Sequence, residues 1–452
     1  MRRSRRARSA LLGAQQPGGR AADRGDARRG GDAVTDLTVS VVVVSRGRPD
    51  ALARCIAGIV RLHYPSFEIV VVADRPGRRK LDTLPDVFNR IKIVACDEAN
   101  ISVARNLGIA HAAGEIVAFI DDDAVPEPLW LDHLVQGFGD PRVEAATGYV
   151  IGPDGINFQH RITEARPDGT GRPIRTDGKT IRLLQPSEDG AIKTEGTNMA
   201  FRRDTLLELG GFDPVFRFYL DETDLDMRVA LAGGITAAAP LAQVHHAMAG
   251  SAQRRDDRVP SSLTDVGRSL AVFVRRYLSD GEWARAGRAE RQRRRKSLIS
   301  HMVAGRIEPR DVRRILSTFD AGWSEGSKLE PDPIPLLRSE DAEFLGFRAS
   351  VRQPGHRIVA GRTWQSREKH ADALRLAEQG WTVTLFLISP TSRPHHAAYA
   401  NKMYWCQRGG LFGRSTRQEP HRRSWRFDAR IRAEQLRLSP VRGSPPAEVD
   451  KH

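Results

Sequence analysis

The chain has 452 residues, of which 40% are hydrophobic, enough for two or three domains and a sizeable core. Its three cysteines, Cys55, Cys96 and Cys406, lie far apart, which excludes a disulfide framework or a cysteine metal site and makes a reducing cytosol the default. The formal net charge of +15 suits anionic partners such as nucleotide sugars, nucleic acid or an anionic membrane face. That charge is uneven. Residues 1–32 hold nine Arg against three Asp, residues 285–314 form a second Arg-rich block, and the centre is closer to balanced. Charge therefore says little about the site itself. No apolar run is long enough to span a bilayer, and residues 10–14 are too short for a signal core. Residues 1–35 read as a basic, disordered tail.

The elements follow in chain order. Residues 37–45, LTVSVVVVS, predict a buried strand rich in β-branched side chains. A turn over Arg46–Pro49 leads to a helix with Leu52, Ile56, Ile59 and Leu62 on one face. Residues 67–73 predict a second strand ending at Asp74, residues 91–96 a third, and residues 102–113 a helix stopped by Gly114. Strand and helix in short alternation predict a mostly parallel sheet covered on both faces, an α/β fold. Residues 145–152 predict a further strand. Residues 153–189, rich in Gly, Pro, Arg and Asp, read as one long loop shaping a cleft. A strand over 195–201, short helix over 204–209, helix over 221–232 and last strand over 235–244 complete a domain of residues 36–280. An amphipathic helix is expected over 262–278 and a basic helix over 285–296. Residues 281–335 are a basic helical region and linker, and 336–452 a small α/β unit with an Arg-rich polar tail.

The stretch 114–128, GEIVAFIDDDAVPEP, drives an apolar strand into Asp121, Asp122 and Asp123. Residues two apart on a strand share a face, so Asp121 and Asp123 point one way and Asp122 the other. Two carboxylates on one side suit a hard divalent cation and the diphosphate or ribose oxygens around it. An acidic turn capping the next helix explains this stretch equally well on its own. Ligands of parallel sheets sit beyond the carboxyl ends of strands. Ser45, Arg48, Asp74, Asp121 and Asp123 all fall at such ends, and that coincidence favours a site.

The order of these pieces resembles the family 2 glycosyltransferases of the GT-A fold over roughly residues 37–276. The residues that carry it are VSVVVVSRGRPD, VVVADRPG, NISVARNLG, AFIDDDAVPEPLW, GTNMAFRRD, LGGFDPVF, YLDETDLDMRVALAGG and VHHAMAGS. The resemblance implies an inverting transferase in cell-surface polysaccharide or glycolipid synthesis, moving a sugar from a UDP- or dTDP-type donor to a hydroxyl acceptor. It implies donor contacts from Ser45, Arg48, Asp74, Arg105 and Asp121, and a Mg2+ or Mn2+ ion held by Asp121, Asp123 and His246. One departure stands out: the family's acceptor motif commonly reads Glu-Asp, and here the pair is Asp221-Glu222. Either carboxylate can then be the base that takes the acceptor proton. Its dull counterpart is three acids charging a first helical turn.

The competing readings are a non-catalytic nucleotide-sugar-binding relative or scaffold, motivated by the inverted pair, and a binder of nucleic acid. Against the latter, the Arg blocks lie outside the sheet and no aromatic-interleaved basic platform appears, so no nucleic acid is expected as a partner. The Arg block and the helix over 262–278 could rest on an anionic membrane at the cytoplasmic face, although a solvated charged face is the plainer reading.

Overall fold

The computed structural model describes residues 37–444 apart from 85–88, 248–254, 256, 331, 348–354, 418 and 420–423. The basic tail expected over 1–35 lies outside the described residues.

The chain opens with strand β1 (Val39–Ser45), helix α1 (Pro49–Ile59), β2 (Phe67–Ala73), α2 (Arg75–Asp82), β3 (Lys92–Ala95), α3 (Ile101–His111) and β4 (Ile116–Asp121). β1 and β2 are buried on both faces, as expected for β-branched runs between helix layers. Helix starts are set locally: α1 has Pro at its first position, Asp74 caps α2 through the Gly77 amide, and Asn100 caps α3 through the Ser102 and Val103 amides. These four strands pair in parallel in the order β4-β1-β2-β3. Val44 lies opposite Asp121 and Ser45 opposite Ala73, so Ser45, Asp74 and Asp121 reach one rim together.

The second half holds β5 (Ala124–Pro126), α4 (Trp130–Val135), β6 (Val143–Ile151), β7 (Phe158–His160), β8 (Thr163–Ala165), β9 (Gly171–Pro173), β10 (Arg182–Leu184), β11 (Ala191–Lys193), β12 (Met199–Arg202), α5 (Arg203–Glu208), α6 (Asp221–Leu231) and β13 (Ile235–His246). β12 runs antiparallel between β4 and β6, and β6 pairs in parallel with β13. The result is a ten-stranded sheet in an α/β fold whose main run is parallel. One face is covered by α1 and α4, through Leu52, Ile56, Trp130 and Leu131. The other is covered by α3, α5 and α6, through Ile109, Leu206, Leu225 and Val229.

Two expectations need correction. Residues 153–189 are not one loop: they contain β7 to β10, and β8 and β9 join β11 in a separate three-stranded sheet. Where an Arg-rich polar tail was expected, residues 396–400 and 404–410 are strands and 427–442 a helix.

Helices α7 (Thr264–Tyr277), α8 (Asp280–Val303) and α9 (Pro309–Gly326) form a bundle beside α6 around Phe273, Leu298, Ile315 and Phe319. The 24-residue α8 begins with a capping box of Ser279 and Glu282. α7 and α9 cross closely at glycines: a Cβ on Gly322 would lie 1.9 Å from the Thr264 carbonyl oxygen, and one on Gly267 2.3 Å from that of Phe319. Residues 332–347 return along the first sheet, where Phe347 stacks against Phe67.

The C-terminal unit comprises β14 (His356–Arg362), α10 (Ser366–Glu378), β15 (Thr382–Ser389), β16 (His396–Ala400), β17 (Tyr404–Gly410) and α11 (Phe427–Arg442), with sheet order β14-β15-β17-β16. It is docked on the first sheet. Tyr399 Oη donates to the Ala57 carbonyl at 3.1 Å, the Leu129 amide to Val441 at 3.0 Å, and the Ala397 amide to Asp154 at 3.0 Å. At the centre of this contact Arg442 makes a two-pronged ion pair with Glu127, both nitrogens at 2.7 Å and both side chains buried. No helix among the described residues is long and apolar enough to cross a membrane.

Candidate active site

The carboxyl end of β4 alternates as a strand must. Asp122 turns inward and is fully buried, where it accepts from Ser45 Oγ at 2.7 Å and pairs with Arg48 Nη2 at 2.6 Å. Burial raises its carboxyl to about 7 against the opposing pull of Arg48 and Ser45. Asp121 and Asp123 face the rim with His246 from the end of β13. Their ligand atoms all lie within 4.8 Å of one another, and His246 Nε2 stands 3.2 Å from Asp123 Oδ1. Burial alone would lower the His246 imidazole, but the hydrogen bond and charge of Asp123 outweigh it and raise it. His246 Nδ1 is buried without a hydrogen-bond partner. Two carboxylates and an imidazole converging with a spare ring nitrogen fit a divalent cation. His246 belongs to β13, where it pairs with Ala124 of β5, rather than to a loop after the last strand.

The residues expected around the nucleotide are gathered at the same rim but are engaged with one another. Ser45 and Arg48 serve Asp122, and Arg48 Nη1 also reaches Asp123 Oδ2 at 3.2 Å. Asp74 accepts from two amides, Gly77 at 3.0 Å and Gly47 at 2.7 Å, so it caps α2 and ties down the turn after β1. Arg105, on α3, is buried rather than lying in an exposed ion pair. Its guanidinium pairs with Asp221, reaches Asp121 at 3.5 Å and donates to the Gly196 carbonyl at 3.2 Å. Arg105 therefore links the acidic rim of β4 to the start of α6.

α6 starts from an unusual backbone. Tyr219 and Leu220 both have positive φ, 74° and 65°, and Leu220 occupies the cap position without a side-chain cap. The acids that follow are sorted by their partners. Asp224 accepts from Arg228 at 2.9 Å, Arg276 at 2.6 Å and Tyr277 Oη at 2.9 Å, which fastens α6 to α7. Asp221 is committed to Arg105, and burial pushes its carboxyl up to about 7 although Arg105 opposes this. Glu222 faces Lys193 Nζ at 3.3 Å. Burial would raise it too, but the charges of Lys193 and then Arg105 outweigh that and hold its carboxyl below the ordinary range. Of the two, Glu222 is the one whose carboxyl is held down, by Lys193.

Several members of this site carry no signal in the sequence. Lys193, at the end of β11, also pairs with Glu195 at 3.1 Å, and Glu195 lies 3.6 Å from His160 Nδ1. Glu127 takes His245 Nε2 at 2.7 Å, while the Trp405 ring stacks on His245 at 4.2 Å. Glu127 and His245 lie within the stretches AFIDDDAVPEPLW and VHHAMAGS, whereas Lys193, Glu195 and His160 are marked only by the company the fold gives them. The motif GTNMAFRRD, which begins three residues beyond Lys193, is the nearest pointer.

A sheet whose strand ends gather acids, a candidate cation triad and a charged helix start belongs to the ligand-binding class of open α/β sheets. Residues 40–210 match the family model Glycosyl transferase family 2, so the likeness to that family lies in this segment. The chain is similar to the glucosyl-dolichyl phosphate glucuronosyltransferase of Haloferax volcanii, at 30% identity over 187 residues, covering 39% of this chain and 56% of that protein. It is also similar to the succinoglycan biosynthesis protein ExoM of Rhizobium meliloti, at 29% identity over 224 residues, 46% of this chain and 66% of that protein. The chain thus spans between about half and two thirds of the length of these two relatives. Among solved structures, GalNAc-T7 with UDP, GalNAc and Mn2+ aligns over 52% of this chain and 48% of its own, at 19% identity and a TM-score of 0.39.

Proposed function

We propose that this chain is an inverting glycosyltransferase that moves a sugar from a uridine or thymidine diphosphate donor to a hydroxyl acceptor, in polysaccharide or glycolipid synthesis. One observation carries the reading furthest. The Arg105 guanidinium pairs with Asp121 of the candidate cation triad and with Asp221, the residue beside Glu222, so donor and acceptor chemistry share one rim. The family segment supports it.

In this reading Glu222 is the base. The acceptor oxygen forms its bond to the anomeric carbon, the carbon–oxygen bond to the diphosphate breaks, and the electron pair leaves with the diphosphate. The acceptor proton goes to Glu222, and Lys193 keeps that carboxylate ready to receive it. No covalent enzyme intermediate is needed. Arg105 holds Asp221 and Asp121 in place, and Arg48 holds Asp122 and Asp123. Asp121, Asp123 and His246 would hold a divalent cation, and the imidazole in that set favours Mn2+ over Mg2+. Such an ion, when bound, offsets the charge that builds on the departing diphosphate. Asp74, at the end of β2, stands where the resemblance puts recognition of the base.

The test is donor turnover over a panel of nucleotide sugars with Mn2+. Glu222→Gln is expected to lower turnover by roughly 10²–10⁴-fold with donor affinity unchanged. Full activity in that variant removes Glu222 as the base. Donor binding without turnover on any acceptor makes the chain a nucleotide-sugar-binding relative instead.

A further inference from the structure

Where the C-terminal unit closes over β7 and the end of β13, the two parts leave a cavity of about 430 Å3. We propose that this cavity binds an oxyanion, a phosphate- or carboxylate-bearing small molecule of sugar-phosphate size. The inference is independent of the transferase reading.

Its volume falls in the range of small-molecule sites. Its walls are polar and cationic: four guanidinium groups, Arg161, Arg417, Arg437 and Arg442, line it with a single carboxylate, Glu127. Two of the four are neutralised. Arg442 is paired with Glu127, and Arg437 with Glu434 at 2.9 Å. Arg161 and Arg417 have no carboxylate partner among the described residues, yet both are held in place. Arg417 Nε donates at 3.0 Å to Asn157 Oδ1, and the amide of Asn157 donates in turn to Asp154. The Arg161 guanidinium sits over the Phe158 ring at 5.1 Å and the Tyr149 ring at 5.9 Å. The two free cations are thereby fixed on consecutive residues, 157 and 158, at one side of the cavity. Each guanidinium without a carboxylate partner offers a planar fork of donors that suits a phosphate or carboxylate.

A second feature points inward. His245 lines the same cavity, and its Nδ1 is buried without a hydrogen-bond partner, while its Nε2 is used by Glu127. The side chain of Gln243 adds a further polar group to the lining, whereas the Gln407 amide is engaged by His395, Glu434 and Arg437. An apolar void left by loose packing would show none of these groups.

Thermal shift and calorimetry on the full chain test this, with UDP and Mn2+ saturating so that the candidate donor rim is filled. The probes are inorganic phosphate, pyrophosphate and glucose 1-phosphate, with sodium chloride at matched ionic strength. A saturable rise in Tm with phosphate but not chloride is expected. The double variant Arg161→Gln, Arg417→Gln should weaken that binding by roughly tenfold or more, with its Tm without phosphate and its UDP affinity unchanged. Glucose 1-phosphate binding more tightly than phosphate supports a sugar-bearing ligand. Equal affinity supports a free anion. Stabilisation that follows ionic strength alone, or equal phosphate affinity in the double variant, overturns the proposal.

Discussion

At the level of single residues, the neighbours of Glu222 decide what it can do. Lys193 supplies the positive charge at 3.3 Å, Asp221 and Asp226 stand near as carboxyls, Arg105 lies behind Asp221, and His160 reaches the cluster through Glu195. Replacing Lys193 with Met removes the charge that opposes burial, so the Glu222 carboxyl moves up. The acidic limb of the rate profile should then shift to higher pH, whereas Lys193→Arg should leave it in place. A Met variant that loses rate equally at every pH would make Lys193 a packing residue only. The sign for stability is consistent. A carboxyl held below its unfolded value of about 4.3 stabilises the fold above that pH, and this contribution is lost as pH falls through the folded value. The three aspartates of β4 give a second contrast. Asp122→Asn should keep turnover within several-fold, because that side chain turns inward, away from the candidate cation triad, and Asn can still accept from Ser45 and Arg48. Asp123→Asn should lose Mn2+-dependent turnover. Equal losses in a donor assay would mean that the two faces have been assigned the wrong way round. This division was legible in sequence because a strand alternates with period two. Lys193 and Glu127 were not, because a single charge in a sequence shows neither its burial nor its partner.

Among the elements, legibility followed the source of each one's stability. β1, β2 and α3 bury apolar faces with regular spacing and match their expected bounds to within two residues, while α1 ends at Ile59, three residues short of Leu62 on its expected face. The strands between 158 and 184 are three residues each, too short for any alternation to register. α11 was taken as polar tail because its buried positions include Arg430, Glu434 and Arg442, charges that are buried only as pairs. α9 did carry a pattern, Val312, Ile315, Leu316 and Phe319 after Pro309, hidden inside an Arg-rich block. Its crossing with α7 makes a prediction of its own. Gly322→Ala places a methyl group against the Thr264 backbone, where no side chain can rotate away. A loss of about 1–3 kcal/mol is expected, read as a lower denaturant midpoint; an unchanged midpoint would mean the helices part at no cost.

For the molecule as a whole, the C-terminal unit is joined to the ten-stranded sheet domain by a charge pair sealed from solvent. Arg442→Met leaves Glu127 buried with His245 as its remaining partner and no full countercharge, which should cost about 3–5 kcal/mol. Adding Glu127→Gln should recover most of the loss, because a buried pair removed together leaves no bare charge. Chemical unfolding of the single and double variants distinguishes the two; a double variant no more stable than the single would mean that the pair does not hold the units together. The same pair orients His245, whose neighbour His246 belongs to the candidate cation triad. Sequence reading divided the chain near residue 335 and found the first strands of the last unit, but the seam itself lies between residues more than 300 apart and was out of its reach.

The backbone just before Asp221 also has an evolutionary side. Tyr219 and Leu220 sit in the left-handed region, at a cost of roughly 1–2 kcal/mol each for side-chain-bearing residues. A glycine at 220 would relax the backbone but forfeit the burial of Leu220, and a β-branched residue would keep the bulk and worsen the conformation. Position 220 thus has few viable single-step replacements, and the direction in which Glu222 points is protected against drift by a residue that never touches substrate.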